Sequence, residues 1–325
     1  MLYKNAGVDI KRLNLLKKKF GKQIVSTLPQ ESTFGLFGGI YPIDDKLLIA
    51  SVDGVGTKIL IACAMGIHTT VGMDIVNHCV NDILTTGAQP LFFMDYIGFS
   101  EVSDAVLTEV IKGITRACKK ERIALIGGET AQMKRFYPRG VYDLVGFIVG
   151  IVDKKDYIDP QRIEPGDILL GFRSSGLHTN GYTLARRVLF RKYTLTTYLP
   201  ALKCTLGEEL LKVHKSYRQI LEPRLKYING LAHITGGGFY DNIARILPLG
   251  TAAVIRKKSW QVPAIFKIIQ EIGKVPEDEM YRVFNMGIGM VAIIKPQNLK
   301  FFKALKPLVI GEIVKGDFKV RLEED

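Results

Sequence analysis

Strand-length apolar runs closed by turn residues occur at KLLIASVD (46–53), QPLFFMDYIGF (89–99), RIALIGGET (122–130) and YDLVGFIVGIVD (142–153), and each predicts a β-strand. Between them, VGMDIVNHCVNDILTTG (71–87) and SEVSDAVLTEVIKGITRACKKE (100–121) place apolar residues three and four apart, the spacing of a helix face. Ser103 and Asp104 are N-cap candidates for the second helix, and Gly87 is a stop for the first. The polar stretch DKKDYIDPQRIEPGD (153–167), with two prolines and a glycine, interrupts the pattern. It sets an expected boundary near Pro165, with domains at 1–165 and 166–325. In the second half, ILLGFRSSG (168–176), TAAVIRK (251–257) and GMVAIIKP (289–296) read as strands, and TLARRVLFRK (183–192) and QVPAIFKIIQEIG (261–273) as helices. No repeat with a period of 20 to 50 residues and no low-complexity tract is evident.

A chain of 325 residues with 47% hydrophobic and 24% charged residues has room for two cores and the profile of a globular protein. Cys63, Cys79, Cys118 and Cys204 are scattered, without CxxC pairs or histidines at zinc-ligand spacing, so buried thiols in a reducing cytosol are expected. The N-terminus is polar from Lys4 onward and lacks a signal-peptide core, and no run reaches the roughly 20 apolar residues of a membrane span. A cytoplasmic protein that binds no membrane is the expectation. The net charge of +13 is gathered in KRLNLLKKKFGK (11–22) and RRVLFRK (186–192), where Leu and Phe interleave at helical spacing. That pattern favours solvated helix faces over a nucleic-acid footprint, and no zinc-finger or RNP-type signature opposes it.

The chemistry-bearing residues start at SVDGVGTK (51–58). It lacks the GxxxxGK[ST] frame of a Walker loop, which excludes that cradle. Asp53 at a strand end can hold a divalent cation, Lys58 can meet a phosphate, and Gly54 and Gly56 allow the backbone to approach. A tight turn with a solvated Asp and Lys fits the same letters. Asp74, Asn77 and Asp82 follow on the first helix, and Glu129 and Thr130 follow Gly127 and Gly128 at a strand end. Such carboxylates suit Mg²⁺, which takes a few carboxylates plus phosphate oxygens, although Asp74 and Asp82 can equally decorate a helix.

In the second half, RSSGLHTNGYTLARR groups Ser174, Ser175, His178, Thr179 and Asn180 before a helix, a seat for a sugar phosphate. HITGGGFYDNI runs Thr235, Gly236, Gly237 and Gly238 into another helix, as either an anion seat or a flexible loop. MGIGMVAII matches GxGxxA at Gly287, Gly289 and Ala292, but it leads into a strand-like run, which argues against a dinucleotide site.

Taken in order, YKNAGVDI, SVDGVGTK, GMDIVNHCVNDIL, GAQPLFFMDYI, LIGGETAQM, GDILLGFRSSGLHTNGYTLAR, LAHITGGGFYDNI and EDEMYRVFNMGIGMV resemble the aminoimidazole ribonucleotide (AIR) synthetase family. The likeness runs from Tyr3 to VIGEIVKG near the C-terminus. It implies a two-domain α+β subunit, with N-terminal domains pairing into a dimeric β-barrel flanked by helices and a C-terminal α+β domain for substrate. It implies ATP-dependent closure of formylglycinamidine ribonucleotide to aminoimidazole ribonucleotide, the γ-phosphoryl going to the amide oxygen so that a nitrogen can close the ring and expel phosphate. Carried over by position, Asp53, Asp74, Asp82 and Glu129 would surround Mg²⁺, and Gly54, Gly56, Thr57, Lys58, Asn77 and Thr130 would complete the ATP site. Lys58, Asp82 and His178 would be catalytic, with His178 handling a proton or only binding substrate phosphate. Ser174, Ser175, Asn180, Thr235, Gly236, Gly237 and Gly238 would face the substrate. Selenophosphate synthetase, thiamine-monophosphate kinase and a hydrogenase maturation factor are relatives of the same architecture; the HTNGYTLAR and FNMGIGM segments argue against them. One departure is GGETAQMKR where the family usually reads GGETAEMPG: Gln132, Lys134 and Arg135 replace an acid, a proline and a glycine.

Overall fold

The structure, a computed structural model, describes residues 1–325 apart from residues 30, 31, 34, 318 and 325 and the side chains of residues 11, 17, 18 and 22. The strands are β1 (Gly39–Ile43), β2 (Lys46–Gly54), β3 (Gln89–Phe99), β4 (Ala124–Gln132), β5 (Tyr142–Asp153), β6 (Ile168–Arg173), β7 (Tyr198–Leu199), β8 (Cys204–Thr205), β9 (Gly230–His233), β10 (Thr251–Arg256), β11 (Ile288–Ile294), β12 (Leu308–Lys315) and β13 (Val320–Glu323). The α-helices are α1 (Ile10–Val25), α2 (Ile59–Met65), α3 (Thr69–Leu84), α4 (Asp104–Glu121), α5 (Tyr182–Leu189), α6 (Leu206–Leu210), α7 (Arg218–Leu221), α8 (Gly238–Ala244), α9 (Ala264–Gly273) and α10 (Glu277–Val283).

The first sheet runs β1-β2-β5-β3-β4 and the second β13-β10-β12-β6-β11-β9, with β7 and β8 as a separate ribbon. β3 and β4 pair in parallel because α4 carries the chain back between them; the other neighbours in the first sheet are antiparallel. The second sheet is antiparallel except for β10 with β13. This is the two-domain α+β arrangement expected. Among the described residues no closed barrel forms within one chain. Nor, among them, is any helix long and apolar enough to cross a membrane.

α3 and α4 cover one face of the first sheet. They cross closely at Gly72 and Gly113: a Cβ on either would strike the backbone of the other helix. The apolar stripe of α3, including Val71, Ile75, Cys79 and Ile83, packs into the main core, so burial of one face explains that half of the helix. Its other stripe is polar and buried as well: Asp74, Asn77, His78, Asn81 and Asp82 recur at helical spacing. Each makes at least one hydrogen bond to a group of the second domain. The basic run at 11–22 falls in α1 and that at 186–192 on and just after α5; of the former, the side chains of Lys11, Lys17, Lys18 and Lys22 lie outside the described residues. The GxGxxA segment enters β11, a fully buried strand, as the sequence pattern suggests.

Candidate active site at the domain junction

β2 ends by delivering Asp53 to the edge of the junction. Its carboxylate accepts a bond from the Gly54 amide at 2.7 Å and pairs with His78 Nε2 at 2.9 Å. One turn further along α3, Asp82 pairs with His233 Nδ1 at 2.8 Å and accepts from Ser51 Oγ at 3.1 Å. Burial alone would push His78 down, but the charges of Asp53 and Asp82 outweigh it and raise His78 to about 9. Burial likewise pushes Asp53 up, and the facing His78 overrides it, holding the carboxyl at about 2. Asp53 is thus an ionised, half-exposed carboxylate gripped from behind.

In front of it lies a small polar cleft of about 190 Å³ lined by Ser51, Asp53 and Asp82 from the first domain and Asn180, Thr235, Gly236 and Arg245 from the second, with Phe37 and Val52. Gly236 and Arg245 also line a larger cavity of about 620 Å³ with Gly237, Asp241, Lys319 and the α1 residues Ile10, Leu13 and Asn14. The Arg245 guanidinium stacks over Phe37 at 4.6 Å, which fixes it between the two spaces.

Five expected site residues meet in this cleft: Asp53, Asp82, Asn180, Thr235 and Gly236. Others take different places. Lys58 and Asp74 have side chains 0% exposed and pair with each other at 2.7 Å. Lys58 Nζ also donates to the Lys212 carbonyl at 2.7 Å, and Asp74 accepts from the His214 amide at 2.6 Å. Burial lowers Lys58 and raises Asp74, each opposed by its partner. Neither faces open space in this structure. Asn77 is buried with its amide on the His214 carbonyl. Thr57 bonds Thr183 across the junction at 3.0 Å, and Gly54 and Gly56 shape the turn, Gly56 at φ 67°.

Glu129 stands apart from the cleft. Along the first sheet Asp53 pairs with Gly146, Gly146 with Asp95 and Asp95 with Gly128, whereas Glu129 pairs with Tyr96. One residue out of that row puts Glu129 on the opposite face of the sheet, exposed, with Thr130 exposed beside it on this outer strand. Asp53, Asp74, Asp82 and Glu129 therefore do not converge within one chain. His178 is 1% exposed, stacked on His214 at 4.0 Å, and does not line the cleft. Ser174 and Ser175 turn to the carbonyls of Gly176 and Val213. Gly237 lines the larger cavity, and Gly238 lies under Tyr281, whose carbonyl a Cβ there would strike. At the sequence departure, Gln132 bonds the Ser100 carbonyl and Arg135 takes a φ of 67°, the left-handed conformation that a glycine at this position adopts without strain.

Sequence reasoning missed Ser51, His78, Arg245 and His233. Ser51 alternates inward with Leu47 and Ile49 on β2, and His78 sits four residues before Asp82 on one helix face; both spacings were available. Arg245 carried no signal beyond being a cation after the glycine run.

Residues 38–152 match the family described as AIR synthase related protein, N-terminal domain, and residues 164–323 match its C-terminal domain. The chain belongs to the AIR synthase family. It is 47% identical over 334 residues to a phosphoribosylformylglycinamidine cyclo-ligase of Thermoanaerobacter sp. (strain X514), covering 98% of both chains. It is 45% identical over 332 residues to the protein of that name from Thermodesulfovibrio yellowstonii, covering 97% of this chain and 96% of the relative. Among solved structures, AaThiL complexed with AMPPCP and TMP superposes with a TM-score of 0.70 at 16% identity, covering 98% of this chain and 96% of that one. A HypE-HypF complex gives 0.67 at 16% identity, covering 94% and 95%. At such identities these two share the family's fold.

Proposed function

We propose that this chain is an ATP-dependent cyclo-ligase that closes formylglycinamidine ribonucleotide to 5-aminoimidazole ribonucleotide, releasing ADP and phosphate. The observation that carries the reading is the cleft in which Asp53 and Asp82 of one domain face Asn180, Thr235, Gly236 and Arg245 of the other. Near-full-length identity of 45% to 47% with proteins of that name favours it over the thiamine-monophosphate kinase type, for which likeness at 16% identity speaks only to fold.

The donors at the cleft edge, Asp53, Asp82 and Ser51, are all oxygen, and Asp53 is held ionised, so the set fits Mg²⁺. When bound with ATP, Mg²⁺ would neutralise charge building on the transferring phosphoryl group. The chain's own residues do the rest. His78 keeps Asp53 ionised and fixes its rotamer; Arg245 presents a planar cation between cleft and cavity, matched to phosphate oxygens. Asn180 and the Thr235–Gly236 backbone orient the acceptor, and the larger cavity under α1 has room for a ribose phosphate beside Lys319. Holding both reacting ends together is worth on the order of 7 kcal/mol in favourable cases.

We place the domain boundary near Pro165, between the last strand of the first sheet at Asp153 and the first of the second at Ile168. Pairing as a homodimer is supported by the outer face of the first sheet, which is apolar and uncovered: Val52 is 65% and Ile126 59% exposed, with Leu91 and Phe147 beside them. Glu129 lies on that face, so in a dimer it would serve a site only together with the second copy. Action in the cytosol is the reading that ATP and a small phosphorylated substrate support.

The test is a coupled assay of formylglycinamidine ribonucleotide, ATP and Mg²⁺ that follows ADP and the aminoimidazole together. Stoichiometric formation of both is expected. ADP formed only with another acceptor transfers the substrate assignment to a different relative.

A further inference from the structure

Asp82 is held by a side chain of the other domain. His233 ends β9 of the second sheet and has a side chain 0% exposed, and its Nδ1 lies 2.8 Å from Asp82 Oδ1 on α3 of the first domain. A carboxylate only accepts, so Nδ1 is the donor in that bond. The other carboxylate oxygen of Asp82 accepts from Ser51 Oγ at 3.1 Å. With its two oxygens engaged on two different elements, the carboxylate is fixed in orientation, and the 7% of its side chain that is exposed lines the cleft.

The same stretch of backbone carries the opposite wall of the cleft. His233 pairs with Met290 of β11, and the next residue keeps to that strand, Ile234 N donating to the Gly289 carbonyl at 3.0 Å. Thr235 and Gly236 follow directly and line the cleft. Asn242, 0% exposed, gathers the carbonyls of this turn from behind: its Nδ2 lies 3.2 Å from Thr235 O, 3.3 Å from Gly236 O and 2.8 Å from Gly238 O. The turn is thereby fixed relative to His233, and His233 relative to Asp82. One imidazole joins a carboxylate of the first domain to the turn of the second that faces it.

We propose that His233 is a positioning residue of the cyclo-ligase site: before nucleotide arrives, its Nδ1–H presets the Asp82 carboxylate as a cation ligand and keeps it in register with the acceptor turn at Thr235–Gly236. The proposal rests on the reading of Asp82 as a Mg²⁺ ligand. Carboxylates that hold a metal are themselves held by hydrogen bonds, and losing such a partner typically weakens the metal about 10- to 100-fold. A histidine that only fills the core would serve by its shape, not by a donor on one nitrogen. The two roles part at the two ring nitrogens, because Nδ1 meets Asp82 while Nε2 meets His214 Nε2 at 3.0 Å.

Two substitutions separate those nitrogens, since an asparagine amide falls near the place of Nδ1 and a glutamine amide near that of Nε2. His233→Asn keeps a donor for Asp82 and gives up the contact with His214; His233→Gln keeps that contact and the volume, and gives up the donor. The probe is Mn²⁺ alone, standing in for Mg²⁺ and followed by the electron paramagnetic resonance of the free ion, on the full chain without nucleotide or substrate. Expected is binding by the unaltered chain, binding within about threefold of it by His233→Asn, and binding about 10- to 100-fold weaker by His233→Gln. His233→Met, which also lacks the donor, gives the same reading if His233→Gln does not fold. His233→Gln that binds as the unaltered chain does, or His233→Asn that binds no better than His233→Gln, overturns the proposal and leaves His233 a core side chain. No binding by the unaltered chain overturns it too, because Asp82 is then not preset for a cation. With nucleotide and substrate absent, none of these failures touches the cyclo-ligase reading, which the assay of ADP and aminoimidazole decides separately.

Discussion

Two pairs of charged groups lie a short way apart on the same stretch of chain and meet opposite fates. Lys58 and Asp74 are sealed at 0% exposure and satisfy each other and two backbone groups, whereas Asp53 and Asp82 reach the cleft with 45% and 7% of their side chains exposed. The letters are alike: an acid and a lysine near glycines, two acids on one helix. What separates them is which neighbour the second domain supplies. The segment carrying Lys212 and His214 closes over the first pair, and the Asn180 and Thr235–Gly236 turns leave the second open. A buried ion pair adds little net stability, but either half without the other is costly.

The largest effect is expected where that closure is broken. Lys58→Met strands the Asp74 carboxylate and should destabilise the fold by about 3–5 kcal/mol, read from urea unfolding. Adding Asp74→Asn, whose amide oxygen can still accept from the His214 amide, should recover at least half of the loss. Next comes the open pair: Asp53→Asn should reduce turnover by about 100-fold or more while folding remains cooperative, measured as kcat across a Mg²⁺ titration. A purely structural Asp53 would instead lower stability with kcat unchanged.

The third effect is read against pH and belongs to His78. Its folded-state pKa of about 9 lies above the ordinary 6.5, so the stabilisation is complete below about pH 6.5 and fades as pH rises through about 9. Unfolding in chelator between pH 6 and 9.5 should show that decline, and His78→Gln should flatten it. A slope that persists in His78→Gln assigns the decline to another group.

The strands that hold this comparison in place were legible. KLLIASVD became β2, QPLFFMDYIGF β3 and YDLVGFIVGIVD β5, because short apolar runs between turn residues have few other solutions. The helix 71–87 became α3 with both its faces buried, and there the reading stopped short. Periodicity identifies the polar stripe of Asp74, Asn77, His78, Asn81 and Asp82, but a polar stripe reads as solvated unless a second domain is known to lie on it. Hence the letters set Asp74 beside Asp53 and Asp82 as one acidic group, and nothing in them marks His78 or His214. β-register was equally hidden: only the pairing of Tyr96 with Glu129 reveals that this acid faces away from Asp53.

The most direct measurement compares ADP formation by Lys58→Met/Asp74→Asn with that by Asp53→Asn, at saturating ATP, Mg²⁺ and formylglycinamidine ribonucleotide, on preparations shown to be folded. If the closed pair only joins the domains and the open pair performs the chemistry, the double variant stays within about tenfold of the unaltered chain and Asp53→Asn falls about 100-fold or more. A folded double variant without activity, beside an Asp53→Asn that turns over normally, would contradict that division.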